Sequence, residues 1–341
     1  MARSLTKGIL LSLFASLALV GPLKAQEKAA NVVMVLHGGA GTILPEYMDE
    51  EKSAEISGRL TAALSAGYAL WEKGASSLDM VEAAIVVLEN SPAFNAGRGA
   101  VFTYDGHNEL DASIMYGASQ DAGAVAGVTN IKNPIIAARA VMENSPHVLL
   151  SREGAEKFAE SQDIERADSA YFYTRKAYEA LQRVQAAEEN GGSINPLPDD
   201  KMGTVGAVAL DKDGHISAGT STGGMTNKRW GRIGDSPLPG AGTYANDATL
   251  GVSCTGHGEY FIRQSVAYDM HALMAYKGLT VDEAANAIIQ SKLKSINALG
   301  GLIALDKDGN AALSFNTVGM YRAYITKTGE ITIRFFEEEV E

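Results

Sequence analysis

Glu188-Glu189-Asn190-Gly191-Gly192-Ser193-Ile194-Asn195-Pro196-Leu197-Pro198-Asp199-Asp200-Lys201-Met202 leads directly into Gly203-Thr204-Val205-Gly206-Ala207-Val208-Ala209-Leu210-Asp211. The first part is polar, holds Gly, Pro and Asp, and has no period, so it reads as an exposed linker. The second part is apolar and short, so it reads as a buried strand. A cut between Gly203 and Thr204 would leave Thr204 as an N-terminal residue. A threonine hydroxyl is a weak nucleophile alone, but a free α-amino group with a reference pKa of about 7.7–8.0 can serve it as general base. The preceding glycine gives the scissile backbone conformational freedom. Taken alone, Thr204 is equally a threonine at a strand start, so the surrounding sequence has to decide.

Downstream, Gly206-Ala-Val-Ala-Leu-Asp-Lys-Asp-Gly-His215 echoes Gly301-Leu-Ile-Ala-Leu-Asp-Lys-Asp-Gly-Asn310. Each reads as a strand, an Asp-Lys-Asp-Gly turn and a second strand. Between them lie a glycine-rich region (219–242) and helices predicted over 260–276 and 281–294; strands are predicted at 321–326 and 331–336. Upstream, Val32 to Leu36 reads as a strand entering a glycine loop, His37-Gly38-Gly39-Ala40-Gly41. Helical spacing predicts helices over 53–73, 79–89, 134–144 and 171–189. Strands, then helices, then strands favour packed, largely antiparallel sheets covered by helices.

Two short motifs suggest other chemistry. Gly219-Thr220-Ser221-Thr222-Gly223 matches a G-x-S-x-G nucleophile elbow, and Asp235 and His257 follow in triad order. An elbow must turn sharply from strand into helix. Here Gly223-Gly224-Met225-Thr226-Asn227-Lys228-Arg229-Trp230-Gly231 follows, with no helical period. Gly38-Gly39-Ala40-Gly41 lacks the spacing of a dinucleotide loop.

The chain is acidic, with a formal net charge of -12. Without a basic stripe it is a poor nucleic-acid ligand. Arg3, Lys7, the apolar run 8–20 and Pro22-Leu23-Lys24-Ala25 read as a signal peptide cut after Ala25, although Leu23 stands where a small residue is usual. The expected location is therefore periplasmic or secreted. No later stretch is apolar enough to cross a membrane. Cys254 is the sole cysteine, so no intrachain disulfide forms.

The segment around Thr204 closely resembles the cleavage site of plant-type L-asparaginases and isoaspartyl peptidases of the Ntn-hydrolase class. So do Thr220-Ser221-Thr222-Gly223-Gly224-Met225-Thr226-Asn227-Lys228, Gly231-Arg232-Ile233-Gly234-Asp235-Ser236-Pro237 and Ser253-Cys254-Thr255-Gly256-His257-Gly258-Glu259. Upstream, His37-Gly38-Gly39-Ala40-Gly41, Phe94-Asn95-Ala96-Gly97-Arg98-Gly99 and Glu109-Leu110-Asp111-Ala112 join them in the family's order.

The resemblance implies an α+β fold, the αββα four-layer sandwich of Ntn hydrolases. It implies a precursor that cuts itself at Gly203–Thr204 into an α subunit (26–203) and a β subunit (204–341), assembled as (αβ)2. Thr204 is then the nucleophile and Thr222 its hydroxyl partner. Arg232 holds the substrate α-carboxylate, for which a guanidinium fork is well shaped. Asp235 and the Gly258 carbonyl take the α-ammonium. Thr255 and Gly256 form the oxyanion hole, and Asn95 supports the site from the α subunit. Substrates are L-asparagine and β-aspartyl dipeptides, with no organic cofactor. A structural sodium is implied at the main-chain carbonyls of Leu88, Glu89, Ser91, Phe94, Ala96 and Arg98, where Arg98 departs from an apolar residue. Glycosylasparaginase shares this chemistry, and a non-cleaving secreted amino-acid-binding protein would also use Arg232 and Asp235; both stay open as alternatives.

Overall fold

The computed structural model describes residues 30–191 and 203–337. The leader and the 192–202 part of the linker lie outside the described residues. Before the linker come β1 (Val32–Gly41), α1 (Glu50–Glu72), α2 (Ser77–Glu89), β2 (Leu110–Tyr116), β3 (Ala122–Val128), α3 (Pro134–Asn144), β4 (Leu149–Ser151), α4 (Arg152–Ser161), α5 (Ser169–Phe172) and α6 (Arg175–Glu189). After it come β5 (Val205–Leu210), β6 (Ile216–Thr222), β7 (Thr243–Asn246), β8 (Leu250–Gly256), α7 (Gly258–Gln264), α8 (Val266–Lys277) and α9 (Val281–Asn286). The chain ends through β9 (Gly300–Asp306), β10 (Ala311–Phe315), β11 (Gly319–Thr326) and β12 (Ile331–Phe336).

The strands form an eight-stranded sheet, ordered β12-β11-β1-β5-β6-β2-β3-β4, and a four-stranded sheet, ordered β10-β9-β8-β7. The pairings are antiparallel except β3 with β4. Side chains of a strand alternate between faces, and β5 shows this cleanly. Val205, Ala207 and Ala209 join a core with α1, α2 and α3, whereas Val208 and Leu210 join a core with the four-stranded sheet, α8 and α9. Helices, sheet, sheet and helices thus stack as an αββα sandwich. Because β5 is apolar on both faces, it lies in the middle of the stack.

Several boundaries depart from the sequence reading. The predicted glycine loop 37–41 continues β1 as strand, with an irregularity in register between His37 and Gly39. Gly39 has φ +110°, and an added Cβ there would lie 2.2 Å from the Gly203 Cα, so only glycine fits. The first two helices start earlier than their apolar spacing suggests, because Asp49 and Ser76 cap them, Ser76 in a capping box with Asp79. The predicted 171–189 helix is split, and Thr174 opens its second part by accepting from the Ala177 N–H. The predicted 260–276 helix breaks at Ser265 (φ +47°). The last helix widens into a π turn over Ala287–Leu293, where the Asn316 side-chain amide donates to the Ile289 carbonyl.

Candidate active site

Period-two alternation places the threonines. Thr204, Gly206 and Val208 share the face of β5 that meets the four-stranded sheet; on β6, Ile216, Ala218, Thr220 and Thr222 do the same. At the open end of this hairpin the Thr204 Oγ1 donates to the Thr222 Oγ1 at 3.0 Å, and the Gly224 N–H donates to the same Thr222 oxygen at 3.0 Å. The Gly203 carbonyl accepts from the Asn95 N–H at 3.2 Å. Asn95 is itself fixed: its side-chain amide donates to the Gly224 carbonyl at 2.7 Å and its Oδ1 accepts from the Val101 N–H at 3.0 Å.

Ser221 is one residue from Thr222 and therefore faces the other way. It is buried and donates to the Glu89 Oε1 at 2.6 Å, under α2. It lies within a strand that leads into no helix, so the elbow geometry is absent.

Behind Thr204 runs a buried polar chain that the sequence reading missed. The His37 Nδ1 meets the Thr204 carbonyl at 3.0 Å and its Nε2 meets the Ser253 Oγ at 2.9 Å. Ser253 meets the Thr220 Oγ1 at 2.6 Å, Thr243 donates to that Thr220 oxygen at 2.6 Å, and Ser113 donates to Thr243 at 2.8 Å. Burial lowers the His37 pKa to about 3 against the opposing pull of the Thr204 carbonyl, so the ring is neutral at neutral pH. A neutral imidazole has one donor and one acceptor. Donation from Nδ1–H to the carbonyl leaves Nε2 to accept from Ser253. Gly206 makes room for this pair: a Cβ there would lie 2.0 Å from the Ser253 Oγ and 2.3 Å from the His37 Nε2. The signals in the sequence were His37 closing an apolar strand and the presence of His37 and Ser253 in two of the resembling segments.

Arg232 and Asp235 come together over Gly258. A Cβ on Gly258 would lie 2.8 Å from both the Arg232 Nη2 and the Asp235 Oδ1, so glycine leaves the space between them open. Asp235 is buried and its Oδ2 has no hydrogen-bond partner among the described residues. Burial pushes its pKa up to about 7 against the pull of Arg232. A buried acceptor beside a guanidinium suits a ligand that brings its own cation. Glu259, which sequence reasoning also missed, binds Arg232 bidentately: Nε donates at 2.8 Å and Nη2 at 3.0 Å. This hydrogen bonding holds the Glu259 carboxyl below its ordinary range.

Thr255, buried at the end of β8, accepts from the Ala40 N–H at 3.4 Å, and Gly256 follows with φ +148°. Gly203, Thr204, Thr222, Arg232, Asp235, Thr255, Gly256 and Gly258 all line one cleft of about 850 Å³. Asn95 stands behind this lining, holding Gly224, which lines it.

The predicted sodium loop lies apart, after α2. The Glu89 carbonyl lies close beside Gly97 and the Phe94 carbonyl close beside Gly99: an added Cβ would lie 2.4 Å and 2.0 Å from their oxygens. Neutral carbonyl oxygens in a tight, glycine-permitted turn fit a hard cation. The Glu89 carboxyl points elsewhere, to Ser221, Asn133 (3.1 Å) and the Ile135 N–H (3.1 Å), and burial raises its pKa to about 7. Arg98 places its guanidinium 5.7 Å from the centre of the Tyr171 ring. Among the described residues no cluster of three or more His, Cys, Asp or Glu side chains is arranged to hold a metal, and no helix is long and apolar enough to cross a membrane.

A family model described as Asparaginase matches residues 30–334. The isoaspartyl peptidase of Escherichia coli (strain K12) is 51% identical over 300 residues, covering 86% of this chain and 92% of that protein. The plant-type L-asparaginase of Pyrococcus furiosus is 42% identical over 302 residues, covering 86% and 96%. The isoaspartyl peptidase/L-asparaginase of Rattus norvegicus is 39% identical over 308 residues, covering 90% of each.

Proposed function

The chain belongs to the asparaginase family, and from that premise we propose an amidohydrolase that activates itself by cleavage before Thr204. It converts L-asparagine to L-aspartate and ammonia and releases aspartate from β-aspartyl dipeptides. The observation that carries this reading is the Thr204–Thr222 hydroxyl pair at 3.0 Å, sharing a cleft with the Arg232–Asp235 pair and directly preceded by Gly203.

In the precursor the Thr204 hydroxyl attacks the Gly203 carbonyl carbon. The Asn95 N–H on the Gly203 oxygen stabilises the charge that develops there. The peptide bond shifts to an ester, and water hydrolyses it. This frees the Thr204 α-amine and leaves Gly203 as a C-terminal carboxylate. The 26–203 and 204–341 subunits then stay together and pair as (αβ)2.

In the matured enzyme the α-amine takes the hydroxyl proton, and the Thr204 Oγ attacks the side-chain carbonyl of the substrate. Thr222, fixed by the Gly224 N–H, holds the hydroxyl in line. The Thr255 hydroxyl and Gly256 N–H receive the oxyanion. The proton passes to the departing ammonia or amino acid, and an aspartyl ester remains on Thr204. Water, deprotonated by the same amine, attacks the ester, and aspartate leaves. Arg232 binds the α-carboxylate, while Asp235 and the Gly258 carbonyl bind the α-ammonium. The reaction requires no organic cofactor. Sodium at the carbonyls of Leu88, Glu89, Ser91, Phe94, Ala96 and Arg98 would stiffen the loop that carries Asn95. The 1–25 leader directs the chain to the periplasm or beyond it.

Intact-mass measurement of purified protein tests the reading. Two fragments are expected, one beginning at Thr204 and the other at Gln26. Thr204→Ala is expected to remain uncut between residues 203 and 204 and to be inactive. Complete processing of Thr204→Ala in purified form would overturn the proposed chemistry.

A further inference from the structure

The cleft extends beyond the clamp that holds the aspartyl end, and its two cations are not equally engaged. Its Arg, Lys, Asp and Glu lining consists of Arg232, Asp235, Glu259 and Arg263. Glu259 and Arg263 stand one turn apart on α7, the i,i+4 spacing at which an acid and a guanidinium ordinarily pair on a helix. They do not pair here. Arg232 takes the Glu259 carboxylate with two parallel hydrogen bonds, at 2.8 and 3.0 Å. Arg263 is left without an ion-pair partner among the described residues, and its guanidinium lies 5.3 Å from the centre of the Tyr260 ring. Of the two guanidinium groups, Arg232 already holds a carboxylate of the chain, and Arg263 holds none among the described residues.

The substrates differ in what they offer Arg263. Asparagine carries one carboxylate and one ammonium, and the Arg232–Asp235 clamp uses both. A β-aspartyl dipeptide carries a second carboxylate, at the C-terminus of its leaving residue. A cleft of about 850 Å³ has room for that residue beyond the clamp. Two aliphatic side chains of the same lining, Leu299 (42% exposed) and Val318 (50% exposed), offer it apolar surface.

Building on the peptidase reading above, we propose that Arg263 marks a leaving-group subsite that binds the C-terminal carboxylate of β-aspartyl dipeptides. Selectivity for dipeptides over their uncharged analogues then resides in α7, not in the clamp. Because Arg263 is exposed, water and salt screen the interaction and its effect is modest.

The test is a two-by-two comparison of kcat/KM. The substrates are β-aspartyl-leucine and its C-terminal amide, β-aspartyl-leucinamide; the proteins are matured wild type and Arg263→Gln. The amide also changes the basicity of the leaving amine, but that effect is common to both proteins and cancels in the ratio of ratios. The acid-to-amide ratio should fall about three- to fivefold on Arg263→Gln. Arg263→Lys should keep part of it, and added salt should reduce it in wild type alone. An acid-to-amide ratio that is the same in wild type and Arg263→Gln would overturn the subsite and leave the peptidase reading standing. Turnover of asparagine with none of either dipeptide would overturn the subsite together with the peptidase half of that reading.

Discussion

The β5–β6 and β9–β10 hairpins share one turn and use it differently. In the first, the Asp211 Oδ1 accepts from the N–H groups of Asp213 (3.1 Å) and His215 (2.8 Å), and Gly214 has φ +87°. In the second, the Asp306 Oδ1 accepts from Asp308 (2.9 Å) and Asn310 (2.9 Å), and Gly309 has φ +82°. The remaining carboxylate oxygens part company. The Asp211 Oδ2 accepts from the Ser77 N–H at 2.9 Å, in the first turn of α2, whereas the Asp306 Oδ2 accepts from the Asn310 side chain at 2.8 Å, within its own turn. The open ends differ as well. β5 and β6 bring Thr204 onto Thr222; β9 pairs with β8 and so holds the strand that ends in Thr255 and Gly256. One local structure thus supplies the proposed nucleophile and also supports the proposed oxyanion hole. The neighbours packed against each hairpin set its task.

The comparison breaks most visibly at its matched glycines. Gly206→Ala drives a methyl against His37 and Ser253, both buried and held, so activity should fall more than about 100-fold and stability by about 3 kcal/mol. At Gly301 an added methyl would meet the Met320 Sδ at 2.6 Å, the Phe315 Cβ at 2.8 Å and the Ser314 carbonyl oxygen at 2.9 Å, so backbone must shift there too. Gly301→Ala should therefore cost about 2–3 kcal/mol in urea unfolding but keep activity, because none of these atoms lines the cleft. Equal losses of activity would mean that the His37–Ser253 pair has no special place. The turns give a smaller contrast. Asp211→Ala strands an N–H of α2 as well as those of its own turn, and should destabilise by roughly 1 kcal/mol more than Asp306→Ala.

A pH series separates the clamp from both hairpins. The Asp235 carboxyl, raised to about 7 by burial, gains a proton as pH falls through that value and ceases to be an anion for the substrate ammonium. KM for asparagine should rise toward about tenfold per pH unit below about 7. A KM that stays flat from pH 8 to 5.5 would mean that Asp235 keeps its charge throughout that range. The smallest effect is expected at Ser221→Ala, which removes a donor to Glu89 on the helix side of β6. Turnover should stay within about tenfold, while Thr222→Val, one residue along on the cleft side, should lose more.

Much of this could be read from the chain. Both hairpins, the 134–144 helix and the β12 strand agree with the sequence reading, and Thr204, Thr222, Arg232, Asp235, Thr255, Gly256 and Gly258 line one cleft. Helix starts drifted because caps, not apolar spacing, set them. The glycine run 37–41 misled because glycine usually marks a loop, whereas here it lets β1 pass against Gly203. Ser221 and Thr222 differ only in the face they occupy, and alternation alone separates them once β6 is known to be a strand.

By itself the sequence determined the two hairpins, the 134–144 helix and the Gly203–Thr204 junction, while the roles of the other cleft residues came from the family resemblance. Local rules suffice for this: period-two strands, a turn carboxylate with its own N–H groups, and a glycine–threonine junction after a polar linker. Tertiary structure alone decided the partners. Arg232 meets Glu259 across 27 residues, and His37 reaches Ser253 across 216. Glu259 lies one turn from Arg263 and nonetheless pairs with Arg232. Such choices depend on which strands lie side by side and which helix end faces the cleft, and no local pattern in the chain carries that information.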